Sequence, residues 1–469
     1  MQKIVYIISH GHTARGALQT GLLGQLSKVA DVHVVAKPDA VEALSATVEK
    51  EGASIHAFES KIDRGDEHRG ILRSHVHQNI RKNPALWEKH LWRTRSNKNS
   101  LKRRLPNHLY YYLGAFIRVL PGGRKAFTKM EANGYFKPDA ARILEEIRPD
   151  VIISTRPVDE MEICLLEAAR RLGIHRSIYI LSWDNITSKG VFPVLGDSYL
   201  TWGPVMNEEL KEYYNVPGSE IFNTGVTHFD IHARVREGEL KVPALVEQLG
   251  LDNQKPYLFF TMSASYFAPN EIDIVEWLAR EVENNTFGEE MQLIVRPHMA
   301  NLMASRSDQS WLGRLEKLPS KRVALDLPGA ENSLLTWYMK HNDMIKLSSL
   351  INGASVCLNS GSTIAIEAAY LNRPVVLTAF DLEDFPKWKS ARRLLEYIHL
   401  TKFVSFGGCS VTTNLQTLKE AIENYLQNPQ LHEAERQKAV EMECYKNDGH
   451  ATQRFVENIT TILKRVENQ

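Results

Sequence analysis

Ser355-Val356-Cys357-Leu358-Asn359-Ser360-Gly361-Ser362-Thr363-Ile364-Ala365-Ile366-Glu367-Ala368-Ala369-Tyr370-Leu371-Asn372-Arg373-Pro374-Val375-Val376 reads as strand, turn, helix, strand. Ala354 to Leu358 is a short apolar run of the buried-strand kind. Asn359 to Ser362 is a turn of small residues. From Thr363 to Leu371 the apolar positions Ile364, Ala368 and Leu371 recur at helical spacing, and Pro374 opens the next strand. A helix start of this kind presents amide donors to an anion. Gly361 allows close approach of a phosphate, and Ser362 and Thr363 add hydroxyls. Glu367 lies one helical turn beyond Thr363, on the same face, where a carboxylate can accept the two hydroxyls of a ribose. The same residues also suit a plain connection with a serine cap, so the rest of the chain has to decide.

Working outward, the pattern repeats. Strand-like runs at 3–9 (KIVYIIS), 31–36, 53–58, 150–155, 177–181, 197–202 and 220–224 alternate with helical stretches in the first half. Runs at 256–261, 292–295 and 323–327 do so in the second. Such alternation predicts parallel sheets built from βαβ units, with ligands at the carboxyl ends of the strands. The polar stretch of about 234–254 reads as the passage between two domains. We expect an N-terminal domain over 1–235, a second over 236–450 and a closing helix over 451–469.

The loops after the strands carry the candidate chemistry. His10-Gly11-His12-Thr13-Ala14-Arg15 follows the first strand but lacks the G-x-G-x-x-G spacing of a dinucleotide site. His10 and His12 suit a base or an acceptor contact, and two histidines alone are a weak metal set. Arg156 to Glu160 follows a later strand and offers Asp159. Ser182-Trp183-Asp184-Asn185 follows another, and Asp184 there can take a proton from an acceptor hydroxyl or simply cap a turn. In the second half, the Met262–Pro269 loop is rich in small hydroxyl residues, including Ser263 and Ser265. Arg296-Pro297-His298 ends a strand, where His298 can donate to a phosphate or sit satisfied in the core.

Composition narrows the classes. The chain has 469 residues, 43% hydrophobic and 24% charged, with a net charge of +1, which gives no global case for a nucleic-acid partner. Four scattered cysteines form no C-x-x-C and fit a reducing compartment. No apolar run is of bilayer-spanning length, and Met1-Gln2-Lys3 leads straight into a strand. The expected location is therefore cytoplasmic, with peripheral attachment at the inner face of the plasma membrane. The one strong local bias lies in 64–129, which holds 16 Lys/Arg against 3 Asp/Glu with aromatics interleaved. We read it as a basic helical insertion whose use, if any, is to meet anionic lipid headgroups or a lipid-diphosphate-linked acceptor.

Taken together, the Gly225-Val226-x-x-Phe229-Asp230 segment, the Ser263–Ser265 loop, Arg296-Pro297-His298 and Ser360-Gly361-Ser362-Thr363…Glu367-Ala368 resemble glycosyltransferases of the GT-B fold. The likeness is to the bacterial surface-polysaccharide type. The set is also similar to the teichoic-acid glycerophosphotransferases and, more distantly, to the hydrolysing sugar-nucleotide 2-epimerases. That resemblance implies two facing Rossmann-like domains of α/β class, with the insertion outside it. It implies a nucleotide-sugar donor held by Ser263, Ser265, Arg296, His298, Ser360, Gly361, Ser362, Thr363 and Glu367. A glycan or lipid-linked acceptor would meet His10, Arg15, Trp183 and Asn185, with the base drawn from Asp184, Asp159 or His12. It further implies no cofactor and no bound metal. Ser-Gly-Ser-Thr with a single Glu367 departs from the epimerases' Ser-Gly-Gly with consecutive glutamates, which argues against epimerisation. The Ser182–Lys189 loop is more like glycosyltransferases than glycerophosphotransferases. A CDP-glycerol type polyol-phosphate transferase and a non-catalytic polyanion-binding protein are the alternatives.

Overall fold

The computed structural model describes residues 1–60, 64–95, 101–302, 309–329 and 341–468. These fall into two compact units, one of 1–228 with 450–468 and one of 229–329 with 341–449. Each is an open parallel sheet with helices packed against it.

The first unit holds β1 (Lys3–Ile8), β2 (Asp31–Ala36), β3 (Ser54–Ala57), β4 (Val151–Ser154), β5 (His175–Tyr179), β6 (Ser198–Thr201) and β7 (Ile221–Asn223). Their order is β3-β2-β1-β4-β5-β6-β7, and every pairing is parallel. The central strands are apolar because helices cover both faces. Val5, Ile7, Ile152 and Val35 join Ile163, Leu166 and Leu144 in one core. Between β3 and β4, where one crossover helix would suffice, the helix Pro138–Ile147 is preceded among the described residues by four more: Arg64–His77, Pro84–Arg95, Leu101–Val119 and Gly123–Tyr135. The C-terminal helix Ala451–Glu467 packs in this unit, against β6 and the helix Leu22–Leu26.

The second unit holds β8 (Tyr257–Thr261), β9 (Gln292–Arg296), β10 (Val323–Leu325), β11 (Val356–Asn359), β12 (Val375–Leu377) and β13 (Ser410–Val411) in the order β10-β9-β8-β11-β12-β13. All pairings are again parallel. Leu258, Phe260, Val295 and Leu358 pack with Val275 and Leu278 of the helix Glu271–Glu283 and with Ile422 and Tyr425.

Strand order reverses direction between β1 and β4 in one sheet and between β8 and β11 in the other. Such a switch point leaves a crevice outside the carboxyl ends of the strands, and that is where ligands bind in open α/β sheets.

Candidate functional site

At the second unit's switch point the loops after β8, β9 and β11 come together, and two buried polar side chains hold them. Glu271, in the first turn of the helix after β8, is almost wholly buried. Its Oε2 accepts the Ser263 amide at 2.6 Å, and its Oε1 accepts the Ser360 hydroxyl. One carboxylate thus ties the loop after β8 to the turn after β11. Asn301, fully buried, does the same on the other side. Its amide nitrogen donates to the Ser263 carbonyl at 2.8 Å, its Oδ1 accepts the Ser265 amide at 3.0 Å, and its own backbone amide bonds the His298 carbonyl at 2.8 Å. Burial drives the Glu271 carboxyl up to about 8, against the pull of its bonds to Ser360 and Ser263.

The turn after β11 differs in detail from its sequence reading. Asn359 Oδ1 accepts the amides of Gly361 at 2.8 Å and Ser362 at 3.0 Å, so those two donors are already used. Ser360 is buried, its hydroxyl committed to Glu271 and facing Thr378. Ser362 and Thr363, which follow in the same turn, are half-buried. Gly361 has φ +101°, and a Cβ there would stand 2.5 Å from Leu400 Cδ2, so glycine is required twice over.

His298 sits at the carboxyl end of β9 as an exposed residue. The Ala300 amide donates to Nδ1 at 3.0 Å, which places the proton on Nε2 as a donor. Surrounding protein pushes its pKa down to about 4, so the ring is neutral at pH 7. Arg296 corrects the expectation of a diphosphate contact. It is 6% exposed, and its guanidinium is taken by Asp326 and, at 2.5 Å, by Asp343. Its place is in a buried ion network that also includes Lys346, bonded to Asp326. Glu367 stands with Oε2 3.2 Å from His232 Nε2 of the helix Asp230–Arg236, a neighbour the spacing argument did not foresee.

The first unit repeats the device. Glu162 is fully buried in the first turn of the helix after β4. It accepts the hydroxyls of Ser9 and, at 2.5 Å, Ser154, together with the amides of Thr155 at 3.0 Å and Arg156 at 2.8 Å. Burial, then the charge of Asp159, raise its pKa to about 7. Thr13 and Thr155 join their hydroxyls at 2.9 Å, which locks the helix Gly11–Leu18 after β1 to the loop after β4.

The sequence candidates of this unit fall around that lock. His10 caps the helix Gly11–Leu18, its Nδ1 accepting the His12 amide at 3.3 Å. The two rings lie 5.2 Å apart, and Arg15 is half-buried on the same helix. Asp159 caps the helix Glu160–Leu172 by accepting the Met161 amide at 3.1 Å. After β5, Asp184 Oδ1 accepts the Ser182 hydroxyl at 2.7 Å and Oδ2 the Ser188 hydroxyl at 2.5 Å, with Lys189 Nζ at 3.8 Å. Trp183 and Asn185, read from the sequence as acceptor contacts, are buried in this loop, at 4% and 9% exposure. The helical insertion reaches this loop. Asn83 Nδ2 donates to the Thr187 carbonyl at 2.7 Å and Lys89 Nζ to that of Ser188. Burial, then repulsion from Lys189, lowers the Lys89 pKa to about 8.

Glu162, Glu271, Asn301 and His232 were missed by sequence reasoning. The two glutamates had a signal: an acid in the first helical turn directly after a strand and a loop of small polar residues. Asn301 and His232 had none.

Two parallel sheets, each with its polar loops drawn together at the switch point, define a protein of the GT-B class. Solved structures agree. The chain is similar over its whole length to Staphylococcus aureus MnaA solved with UDP (TM-score 0.58, 12% identity, 99% of this chain and 97% of that one). It is similar also to a putative UDP-N-acetylglucosamine 2-epimerase from Listeria monocytogenes (0.57, 14%, 99% and 98%). A glycosyltransferase from Rickettsia africae aligns at 0.50 with 10% identity over 99% and 98%. No curated protein matches by sequence. Residues 197–461 match the family described as CDP-Glycerol:Poly(glycerophosphate) glycerophosphotransferase, and the chain belongs to that family. It is a transferase of a nucleotide-activated group.

Proposed function

We propose that this chain transfers a nucleotide-activated group to a hydroxyl of a glycan or lipid-linked acceptor in the synthesis of a cell-surface polymer. The observation that carries the reading is the tie made by Glu271 and Asn301. It joins the loops that carry Ser265, His298, Ser362 and Thr363, neutral donors of the kind that suit a diphosphate. Glu367 accepts the ribose hydroxyls.

Family membership favours a CDP-linked polyol phosphate as donor. The acceptor oxygen then bonds the phosphorus that bears the polyol, the bond from that phosphorus to the bridging oxygen breaks, and cytidine monophosphate leaves. His298 Nε2–H donates to the departing phosphate. Asp184, whose side chain is 26% exposed, takes the acceptor's proton. Asp159 and His12 are the other candidates for that step. A sugar from a nucleotide sugar is the second reading, favoured by the Ser182–Lys189 loop. There the acceptor oxygen bonds the anomeric carbon and a nucleoside diphosphate leaves.

Chromatography of the released nucleotide separates the two. Cytidine monophosphate from CDP-glycerol, formed only with acceptor present and lost in His298→Ala, supports the first. Release of a nucleoside diphosphate from a sugar nucleotide supports the second. Turnover of neither donor overturns the proposal.

A further inference from the structure

We propose that the first unit carries a second binding site, at the amino ends of β5, β6 and β7, that holds a polyol phosphodiester segment of the polymer product. The occupant rests on the polyol-phosphate reading above; the cavity does not depend on it. His175, Ser198 and Ile221 open those three strands. The loops with this unit's candidate chemistry follow the opposite, carboxyl ends. At the amino ends lies a cavity of about 530 Å³. That is within the range of small-ligand sites, about 300–1,000 Å³. Ile462, Arg465 and Val466 of the helix Ala451–Glu467 form one side of it.

Hydrogen bonds fix the walls. Asp197 Oδ2 accepts both the Arg176 amide and its Nε at 2.9 Å, and Oδ1 accepts Nη2. His175 Nε2 and the Ser198 hydroxyl share a hydrogen bond at 3.0 Å, and the hydroxyls of Ser198 and Ser177 another at 2.8 Å. The helix is fastened to the sheet on either side of the cavity. Asn458 Nδ2 donates to the Asn223 carbonyl at 3.1 Å, and Arg465 Nη1 to that of Ser219 at 3.2 Å.

Charge selects the occupant. Arg170, Arg176 and Arg465 line the cavity with Asp197 and Glu220. Arg170 is held by both oxygens of Glu167, at 2.8 and 2.7 Å, and Arg176 by Asp197. Among the described residues no carboxylate pairs with Arg465, whose guanidinium lies over the Phe222 ring at 4.9 Å. Burial, then Arg176 and Arg465, push the His175 pKa down against the pull of Asp197, so that ring adds no charge at pH 7. The lining thus carries one net positive charge. A phosphodiester brings one negative charge, whereas a phosphomonoester brings about 1.5–2. Arg465 supplies the fork that suits a phosphate. Asp197 and Glu220 would repel a bare anion but accept the hydroxyls of an adjoining polyol, and Phe222 and Ile462 cover its carbons. A growing chain held here stays near the enzyme between additions, which raises the effective concentration of its free end.

The test is calorimetric titration of the full chain with glycerophosphoglycerol, poly(glycerophosphate), glycerol 3-phosphate and inorganic phosphate. We expect the two diesters to bind more tightly than the two monoesters or free anions. Arg465→Glu should lower diester affinity by about tenfold or more, and Arg465→Lys should retain part of it. Ser219→Trp, which sets a bulky ring at the mouth, should also weaken binding. Both positions are exposed, so melting temperatures should change little. With CDP-glycerol and a short acceptor, Arg465→Glu should release cytidine monophosphate at the wild-type initial rate and make shorter chains. Release of the nucleotide judges the polyol reading and the titration judges the cavity, so either can fail alone. Equal diester affinity in wild type and Arg465→Glu would overturn the proposal. So would glycerol 3-phosphate or inorganic phosphate binding as tightly as the diesters, since the cavity would then take an anion and not the polymer.

Discussion

The hydroxyl of Ser360 donates to Oε1 of Glu271, a carboxylate from a different strand-to-helix connection, buried beneath the loops it joins. Oε2 of the same group holds the Ser263 amide at 2.6 Å. Removing it with Glu271→Ala leaves a buried hydroxyl and a buried amide without their partner. The expected cost is roughly 2–4 kcal/mol of stability, with nucleotide affinity falling because both loops relax. Denaturant unfolding and calorimetric titration measure the two effects.

Glu271 also carries a pH signature. Its folded pKa is raised from 4.5 to about 8, so its contribution to stability is full below about 4.5 and is lost as pH rises through 8. Glu271→Gln should flatten that alkaline decline. Melting temperatures of both proteins between about pH 5 and 9 decide it. Curves that stay parallel count against a buried, titrating carboxyl.

The helical insertion responds in the opposite sense. His75 is buried with its pKa pushed down to about 3, and His90 to about 4, by burial first and then by neighbouring His and Arg, including His108, Arg93 and Arg118. Histidines held neutral in this way give stability that is present above about 6.5 and is lost as pH falls toward about 4. Amide exchange over the insertion helices should therefore quicken in that window before the sheets respond. His90→Phe should blunt the change.

Gly361→Ala separates two effects. The φ of +101° strains any L-residue by about 1–3 kcal/mol. The new methyl also meets Leu400. Adding Leu400→Ala should relieve the contact and leave the backbone strain, so the double variant recovers part of the stability lost to Gly361→Ala. Full recovery would show that the backbone conformation is not as described.

His232 and Glu367 should couple. Each of Glu367→Ala and His232→Ala should weaken nucleotide binding. The double variant should cost less than the sum of the two, because the 3.2 Å contact is lost once. Additive losses would assign the residues separate roles.

Much of this was legible in the sequence. Twelve of the thirteen described strands stand where apolar runs between turn residues put them, because buried parallel strands have no polar face to blur the pattern. β13 escaped because Ser410–Val411 is two residues long and follows Gly407-Gly408-Cys409. The turn after β11 stands where its small residues put it, but its donors do not follow from them. That Asn359 would spend the amides of Gly361 and Ser362 depends on a side-chain rotamer. Arg296 misled for a related reason: its partners Asp326 and Asp343 are 30 and 47 positions away, and only the fold brings them to it.

Whether the second unit holds a nucleotide donor is tested first by thermal stabilisation by nucleotides, comparing wild type with Glu367→Ala. The panel is cytidine mono- and diphosphate, CDP-glycerol, and the diphosphates of uridine, guanosine and thymidine. A ligand that binds only the folded protein raises its melting temperature in step with its affinity. A clear rise is expected with cytidine nucleotides, largest with CDP-glycerol, and its loss in Glu367→Ala. A rise with one other nucleoside diphosphate would move the donor to a sugar nucleotide and leave the site intact. No rise with any of them, or one that Glu367→Ala retains in full, would contradict the assignment of a nucleotide donor to the loops gathered by Glu271.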